Sequence, residues 1–357
     1  MEQKSVLIGM SGGVDSSVAA ALLKEQGYHV IGATMRLWTY SDSCNMKHEG
    51  CCAESAVEDA RRVCDKLGID FYVMNFKDMF KDKVVDYFVD EYIHGRTPNP
   101  CIACNKYLKF DALLKKALAM GIDYVATGHY AKIEKGEDGK YILRASEAVK
   151  KDQSYVLYNF TQEQLAHTLM PLGGYNKDWV RQKAEELGLG VAHKPDSQEI
   201  CFVEDDDYAK FITDYSGYKP KEGDILDVNG NVIGKHRGLI YYTIGQRKGI
   251  GAYGRPMFVM KIDAENNTIT LGEKGMEFSN ELTAYDVNFV SGEFPKENML
   301  ITAKVRYQAP PAAAMLCPQK DGTVKLMFPE PQRAVTPGQA VVFLSLIHIS
   351  EPTRRSY

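Results

Sequence analysis

A glycine- and serine-rich loop lies between an apolar strand and a helix near the start of the chain. Residues 11–17 read Ser-Gly-Gly-Val-Asp-Ser-Ser. The short apolar run 5–9 precedes them, and residues 18–26 follow with helical spacing of their apolar side chains. Glycines let the backbone approach a phosphate, while serine hydroxyls, main-chain N–H groups and the helix start supply donors to an anion. The loop therefore predicts a phosphate site at the carboxyl end of a strand.

The residue types in this loop favour pyrophosphate as the bound group. The loop lacks the Gly-Lys-Ser/Thr ending of loops that serve γ-phosphate hydrolysis. Asp15 is placed to reach a magnesium ion that neutralises the leaving group. The loop resembles that of the PP-loop ATP pyrophosphatases, which include several synthetases and tRNA-modifying enzymes. This resemblance implies ATP and Mg²⁺ and leaves the acceptor open; the alternative is a glycine-rich turn without a ligand.

Strands alternate with helices through the first third of the chain, and the pattern then changes. We predict strands at 5–9, 29–35, 71–76 and 124–127, and helices at 18–26, 53–67, 78–93 and 110–120. This alternation predicts an α/β fold with a doubly wound parallel sheet, in which ligands bind beyond the carboxyl ends of the strands. From about residue 206, short runs separated by Asn-Gly turns predict two small β domains. The expected domains are 1–205, 206–276 and 277–357.

Composition restricts the class of protein. The 357 residues carry a net charge of −4, which argues against a protein that coats nucleic acid indiscriminately. No apolar run approaches the roughly 20 residues of a membrane span, and the start of the chain does not resemble a signal peptide. We therefore expect a cytoplasmic enzyme with no membrane partner. In that reducing compartment the eight cysteines indicate chemistry rather than a disulfide framework.

Three cysteines lie in loops that the sequence predicts to be functional. Cys101 and Cys104 lie in a turn-rich segment, residues 97–106, and Cys201 follows far downstream. A synthetase that couples its adenylate to an amine needs no thiol. An enzyme that inserts sulfur needs one thiol to carry a persulfide and often a second to release the sulfur. These cysteines favour sulfur insertion, whereas Cys64 and Cys317 are expected to be small buried hydrophobes.

A further group of cysteines could form a metal site. Cys44, Cys51 and Cys52 flank His48. Their spacing matches no standard zinc pattern, so we do not assign a metal to them.

Several stretches together resemble the MnmA-type tRNA-specific 2-thiouridylases over nearly the whole chain. These stretches are residues 9–17, 50–52, 95–110, 126–130, 151–157, 196–202, 242–249 and 305–307. The resemblance implies a tRNA-uridine 2-sulfurtransferase that adenylates the wobble uridine at its C2 oxygen and replaces that oxygen with persulfide sulfur. It also implies a sulfur-donor protein, a cysteine desulfurase or a relay, and a C-terminal β-barrel. The rivals are a synthetase that forms a C–N bond and a non-catalytic tRNA-binding protein.

The same resemblance assigns roles to individual residues. The expected ATP contacts are Gly9, Met10, Ser11, Gly12, Gly13, Val14, Asp15, Ser16, Met35 and Gly128. The expected target-base contacts are Asn99, Pro100 and Cys101. The expected tRNA contacts are His129, Lys151, Asp152, Gln153, Arg306, Tyr307 and Gln339. Cys104 is implied as the attacking thiol and Cys201 as the persulfide carrier.

Cys101 departs from the family pattern, because many members have Asp at this position. Cys101, Cys104 and Cys201 are then three thiols that could hold a [4Fe-4S] cluster, as in related PP-loop sulfur-transfer enzymes. A Cys104/Cys201 persulfide cycle and cluster-dependent thiolation both remain open at the level of sequence.

Two further segments carry expectations. Residues 234–255 contain five Lys/Arg, one His, three Tyr and no acidic residue, which favours contact with an RNA backbone over a merely solvated basic hairpin. Residues 344–357 lack the glycine-rich strand expected there and look like a foreign tail. The closing strand of the last domain, and with it the role of Gln339, is therefore in question.

Overall fold

The computed structural model describes residues 3–38, 54–195, 200–203 and 206–344. By the density of their contacts the residues form two compact units. Among the described residues, unit 1 comprises 3–38, 54–86, 100–195, 200–203, 206–207 and 288–293, and unit 2 comprises 87–99, 208–287 and 294–344.

The helices and strands have the following bounds. The α-helices are α1 Val14–Glu25, α2 Glu54–Leu67, α3 Lys77–Phe80, α4 Tyr87–Ile93, α5 Pro100–Ala103, α6 Leu113–Ala119, α7 Gln162–Ala166, α8 Lys177–Glu186 and α9 Tyr208–Ser216. Segments Lys81–Asp86 and Cys104–Ala112 are π-helical, and Val149–Lys151, Ser154–Leu157 and Leu239–Tyr241 are 3₁₀ turns. The strands of unit 1 are β1 Ser5–Gly9, β2 His29–Arg36, β3 Asp70–Asn75, β4 Tyr124–Ala126, β5 Ala131–Lys135, β6 Tyr141–Ala145 and β7 Thr168–Leu169. Those of unit 2 are β8 Gly223–Leu226, β9 Val232–His236, β10 Met257–Asp263, β11 Thr268–Glu273, β12 Phe278–Ala284, β13 Met299–Lys304, β14 Ala312–Pro318, β15 Val324–Arg333 and β16 Val342–Leu344.

A five-stranded parallel sheet forms the centre of unit 1. Its order is β3-β2-β1-β4-β7, so β1 pairs on one side with β2 and on the other with β4. The chain moves outward from β1 to β3 and then returns to the opposite side, which creates a switch point between β1 and β4. The predicted doubly wound parallel sheet is confirmed. The central strand β1 is apolar because both of its faces are covered, and its residues Val6 and Ile8 are fully buried.

The segment expected to be a turn-rich loop at residues 97–106 is helical from Pro100 onward. Helix α5 starts at Pro100 and continues through the π-helical segment into α6. The Pro-Asn-Pro composition pointed to turns, but proline is favoured at the first position of a helix, where its missing N–H is not needed. The loop prediction is therefore wrong from residue 100. Cys101 and Cys104 are three residues apart on this helix, so they lie on the same face.

Unit 2 contains two β sheets. The first has the order β10-β11-β8-β9 and includes the Asn-Gly turn predicted between β8 and β9. The second has the order β12-β15-β14-β13-β16, with antiparallel pairing throughout. Over the residues described up to 344 this second sheet is open at β12 and β16. Closure into the expected barrel stays a prediction, as do the three domain boundaries.

Two short segments belong to a unit whose other residues lie far away in the sequence. They are residues 87–99, which belong to unit 2, and residues 288–293, which belong to unit 1. In unit 2, Tyr92 of α4 stacks on Tyr208 of α9 with ring centroids 4.7 Å apart. In unit 1, the Asn288 amide donates to the carbonyl oxygens of Tyr158 and Phe160 at 2.8 and 3.1 Å. Such exchanges are invisible to a prediction based on continuous segments.

No helix in the described part of the chain is long and apolar enough to span a bilayer.

Candidate active site

Two glycine-containing segments meet at the switch point of the parallel sheet. The loop at residues 10–13 follows β1, and Gly128 follows β4, its neighbour in the sheet. A Cβ atom at Gly128 would lie 2.7 Å from the backbone nitrogen of Ser16 and 2.8 Å from the carbonyl carbon of Asp15. Only glycine fits so close to the start of α1. The predicted phosphate loop and Gly128 are therefore brought together, as the sequence implied.

The loop leaves backbone donors available at the start of α1. Gly12 has φ +71°, and a Cβ there would lie 2.3 Å from the carbonyl oxygen of Ala56. Gly13 is the N-cap of α1, and no side chain caps the helix. The Ser17 hydroxyl donates to the Gly13 carbonyl oxygen at 2.8 Å, which holds the turn closed. Uncapped N–H groups at a helix start, next to a glycine turn, are donors of the kind that can bind an anion.

Burial determines which of the expected ATP contacts can be made by side chains. Met10, Val14 and Ser16 are buried, so a ligand would meet their backbone. Ser11 is exposed and its hydroxyl lies 3.2 Å from that of Ser16. Met35 is half-buried near the carboxyl end of β2, at the same edge of the sheet as the loop.

Asp15 is the centre of a charged network. The Tyr130 hydroxyl donates to one carboxylate oxygen of Asp15 at 2.7 Å. The ammonium of Lys177 lies 2.8 Å from both oxygens. Tyr130 is in turn fixed through its backbone, because its N–H donates to the Gln153 side chain at 2.9 Å and its carbonyl accepts from the Gln153 N–H. The residue expected to approach magnesium is therefore engaged by a lysine.

Two lysines beside the phosphate loop were missed by the sequence analysis. Lys177 begins α8, and its side chain is only 11% exposed. Lys194 lies 3.0 Å from the Asp59 carboxylate and 3.4 Å from the Gly12 carbonyl oxygen. The sequence did contain one signal for Lys177. A cation in the first turn of a helix opposes the macrodipole, so its presence there indicates a nearby anionic partner.

The two cysteines of the α5 segment differ in exposure. Cys101 is exposed, whereas Cys104 is buried and starts the π-helical segment. Burial by surrounding protein raises the pKa of the Cys101 thiol, and nearby Lys109 partly opposes this shift. Solvent therefore reaches Cys101 although neighbouring protein atoms surround its sulfur. Cys101 is accordingly held as a thiol more firmly than an ordinary surface cysteine.

Cys201 is half-buried beside an aromatic cluster. Its neighbour Phe202 packs edge-on against Phe80 of α3, with centroids 5.7 Å apart, and also against Trp38 at 6.4 Å. Helix α3 also contacts the π-helical segment that starts at Cys104. The two implied sulfur-handling cysteines thus lie on segments that share one packing partner.

The thiols do not form a metal site in the described structure. Among residues 3–38, 54–195, 200–203 and 206–344, no three His, Cys, Asp or Glu side chains are grouped to hold a metal ion. Cys101, Cys104 and Cys201, the suggested ligands of a [4Fe-4S] cluster, are therefore not gathered as a ligand set. The candidate group of Cys44, His48, Cys51 and Cys52 lies outside the described residues.

The sequence is closely similar to curated proteins along almost its whole length. The tRNA-specific 2-thiouridylase MnmA of Acetivibrio thermocellus is 58% identical over 346 residues, covering 96% of this chain and 96% of the relative. The protein of the same name from Clostridioides difficile is 58% identical over 341 residues, covering 95% and 94%. This chain belongs to the tRNA-specific 2-thiouridylase family.

Three domain families match consecutive parts of this 2-thiouridylase family member. They are described as a tRNA methyl transferase HUP domain at residues 4–205, a tRNA methyl transferase PRC-barrel domain at 209–273 and an aminomethyltransferase beta-barrel domain at 279–345. Together they cover nearly the whole chain.

Among the residues implied to contact tRNA, those of unit 1 also have structural partners. His129 is half-buried, and its Nδ1 lies 2.7 Å from the Thr127 hydroxyl. The Asp152 carboxylate accepts from the Ser146 N–H at 2.9 Å and the Ser154 hydroxyl at 2.7 Å. Lys151, just before it, ends a 3₁₀ turn and is half-buried. This segment holds Gln153 against Tyr130 and thereby supports the Asp15 network.

In unit 2 the implied RNA contacts lie at different depths. Arg306 is half-buried, and Tyr307 is exposed with the Lys304 ammonium 5.7 Å from its ring centre. The Gln339 amide donates to the Thr97 carbonyl oxygen at 2.7 Å. Gln339 thus holds the backbone at Thr97, two residues before Asn99. Asn99 is the last residue of segment 87–99 of unit 2. Pro100, the next of the expected base contacts, is buried and opens α5.

The basic segment 234–255 is less uniform than its sequence indicates. Arg237, Arg247 and Lys248 are exposed, and the Arg237 guanidinium stacks 4.0 Å over the Tyr241 ring. His236, counted among the basic residues, is buried. Its Nδ1 accepts from the Gly238 N–H at 3.1 Å, so its Nε2 carries the proton and donates to the Asn267 carbonyl oxygen at 3.0 Å. Both nitrogens are used internally, and His236 is a core residue.

Proposed function

We propose that this protein is an ATP-dependent tRNA-uridine 2-sulfurtransferase. The observation that carries the proposal is the 58% identity to tRNA-specific 2-thiouridylases over 96% of the chain. The phosphate loop at the sheet switch point and the cysteines on the neighbouring segments support it. The proposed substrate is the wobble uridine of a tRNA, and the reducing cytoplasm is the proposed compartment because the chemistry needs thiols.

The first step transfers AMP to the uridine. The C2 carbonyl oxygen attacks the α-phosphorus of ATP, the bond to the β-phosphate breaks, and pyrophosphate leaves. The uncapped start of α1 and the backbone of residues 10–13 bind the departing phosphates. Magnesium would neutralise their charge, held by Asp15 together with phosphate oxygens, since Mg²⁺ often uses one protein carboxylate and completes its shell with phosphates and water. Adenylation turns a poor leaving oxygen into AMP.

The second stage replaces AMP with sulfur. The terminal sulfur of a Cys201 persulfide adds at C2, and the C–O bond breaks with AMP as the leaving group. The Cys104 thiolate then attacks the Cys201 sulfur, so the S–S bond to the transferred sulfur breaks and 2-thiouridine leaves. A Cys104–Cys201 disulfide remains, and a dithiol reductant must restore both thiols. A protein that carries a persulfide, such as a cysteine desulfurase or relay, would reload Cys201.

A [4Fe-4S] cluster on Cys101, Cys104 and Cys201 does not fit the described structure, because these thiols are not grouped as ligands. The persulfide cycle proposed above needs no cluster. An iron-free protein, purified without oxygen, should still form 2-thiouridine when it is supplied with a persulfide donor. If 2-thiouridine formed only when the protein held iron, cluster-dependent thiolation would replace the persulfide cycle as the proposed mechanism.

Nucleoside analysis of tRNA tests the function directly. Unmodified tRNA, ATP, Mg²⁺ and a persulfide donor should give 2-thiouridine at the wobble position, with one AMP and one pyrophosphate released per base. Cys201→Ser and Cys104→Ser should abolish 2-thiouridine, whereas Cys317→Ser, on a buried strand of unit 2, should not. Pyrophosphate release without thiolation would favour a synthetase of the same superfamily. Methylated uridine formed from a methyl donor would favour the activity named in the domain descriptions.

A further inference from the structure

Helices α1 and α8 lie side by side in unit 1, and an ion pair joins them at each end. Near their starts, the Lys177 ammonium contacts both carboxylate oxygens of Asp15 at 2.8 Å. Near their ends, the Lys183 ammonium lies 2.9 Å from the Glu25 carboxylate. The two helices therefore begin at the same place, next to the phosphate loop. Both macrodipoles direct their positive ends toward that loop.

Lys177 occupies a position that helix formation does not favour. It follows the N-cap Asn176, whose side chain accepts from the Trp179 N–H at 2.8 Å. Stacking of Tyr175 on Trp179, with centroids 4.0 Å apart, further fixes this start. A cation in the first turn opposes the dipole, and a lysine that is 11% exposed has lost most of its hydration. The position requires an anionic partner, and Asp15 supplies one in the structure.

We propose that Lys177 is a pyrophosphate-binding residue that exchanges its partner when nucleotide binds. Without nucleotide its ammonium neutralises Asp15. With nucleotide it moves onto the β-phosphate, and the Asp15 carboxylate becomes available to magnesium. The inference deepens and rests on the proposed function, because it names how the same site changes on loading.

Charge balance supports the exchange. A nucleotide bound at the start of α1 would bring several negative charges close to the Asp15 carboxylate, and this repulsion weakens binding unless cations intervene. A lysine suits the task because its ammonium is a compact charge on a flexible stem with three donors. The Tyr130 hydroxyl, 2.7 Å from Asp15, keeps one hydrogen bond to the carboxylate when the lysine leaves.

The competing interpretation is that the Asp15–Lys177 pair only fastens α8 to α1. The second ion pair between these helices offers a matched control. Lys183 joins the same two helices but lies at the end remote from the phosphate loop. Replacing either lysine with glutamine removes one charge and one inter-helix ion pair. Only Lys177→Gln also removes a proposed ligand of the phosphates.

Calorimetric titration of wild type, Lys177→Gln and Lys183→Gln should use three probes: Mg²⁺-ATP, inorganic pyrophosphate with Mg²⁺, and adenosine. We expect Lys177→Gln to weaken ATP and pyrophosphate binding at least about tenfold, the effect of losing a charge-assisted hydrogen bond. Adenosine binding should stay within about twofold, and Lys183→Gln should resemble wild type with all three probes. Equal effects of the two variants, or a parallel loss of adenosine binding, would overturn the proposal.

Lys177→Arg keeps the measurement informative if the glutamine variant folds poorly. It retains the charge and should keep pyrophosphate affinity within about fivefold of wild type while Lys177→Gln loses it. A pyrophosphate affinity unchanged in every Lys177 variant that folds would contradict the exchange. Failure of the exchange differs from failure of the function: wild type would still form 2-thiouridine in the first case and would not in the second.

Discussion

Two regions of this molecule were predicted from sequence to bind phosphate, and the structure builds them in opposite ways. At the phosphate loop the charges are enclosed: Lys177 is largely buried, and Asp15 is contacted by two side chains. In segment 234–255 the charges are exposed, and Arg247 forms no ion pair within the part of the chain that the structure describes. Phosphate binding at an enclosed site depends on close backbone packing, whereas binding at an exposed site depends on the summed charge of its side chains. Single substitutions should therefore have large effects in the first region and small, salt-dependent effects in the second.

The largest effect is expected from one methyl group at the switch point. In Gly128→Ala the new Cβ would lie under 3 Å from backbone atoms of Asp15 and Ser16, which cannot move aside as a side chain could. We expect unfolding free energy to fall by about 3 kcal/mol and ATP affinity to fall more than tenfold. Urea denaturation and nucleotide titration measure the two effects. Gly174→Ala, where an added Cβ meets nothing within 4 Å, should leave both unchanged. A tolerated alanine at residue 128 would show that the loop is not tightly packed.

The second effect concerns a neutral member of the enclosed network. Tyr130→Phe removes a buried hydroxyl that donates to the Asp15 carboxylate. A hydrogen bond to a charged group contributes about 1.5 kcal/mol or more, and unfolding free energy should fall by about that amount. Tyr28→Phe is the control, because Tyr28 packs against the same core and takes no part in the described Asp15 network. Equal stability of Tyr130→Phe and wild type would mean that Lys177 alone satisfies Asp15.

The contrast between the regions also explains what sequence could predict. The parallel sheet follows from local periodicity and is confirmed, and the glycine pattern next to a strand correctly predicts the loop that joins β1 to α1. Phosphate binding by that loop stays a prediction. Lys177 was missed because its partner Asp15 is 162 residues away, a separation that no local pattern reports. His236 was misassigned because its surroundings in sequence are basic, whereas its surroundings in space are the core of a β sheet. The α5 helix was missed because Pro100 signals both a turn and a helix start.

A third effect tests whether charge is excluded near the phosphate loop. Burial holds the pKa of His129 well below its usual value of 6.5, and Lys109 lowers it further. The unfolded chain therefore binds a proton below about pH 6.5 that the folded protein does not, and stability falls as pH decreases from 6.5 toward the folded-state pKa. The loss is at most about 1.4 kcal/mol per pH unit.

His129→Gln should remove this contribution, so the difference in unfolding free energy between the two proteins should change between pH 7 and pH 5. The sign is fixed: wild type loses stability relative to the variant on acidification. If the unfolding free energies of the two proteins changed in parallel with pH, His129 would accept a proton in the folded protein. Its ring would then contact RNA as a cation and not as a neutral group.

The smallest effect is expected in the exposed region. Arg247→Gln removes one charge that we expect to lie near tRNA phosphate, and tRNA affinity should fall about fourfold at physiological salt. The slope of log affinity against log salt should become shallower by about 0.7 to 0.9, the value for one lost phosphate contact. Lys235→Gln is the matched control. The Lys235 ammonium already pairs with the Asp224 carboxylate at 2.6 Å, which partly neutralises it and weakens its attraction to RNA phosphate. The two variants should differ in slope even if their affinities at one salt concentration are similar. Charge alone is expected to act in this exposed segment, so a slope unchanged by Arg247→Gln would remove segment 234–255 from the RNA surface. Arg306, Tyr307 and Gln339 would then remain as the implied tRNA contacts of unit 2.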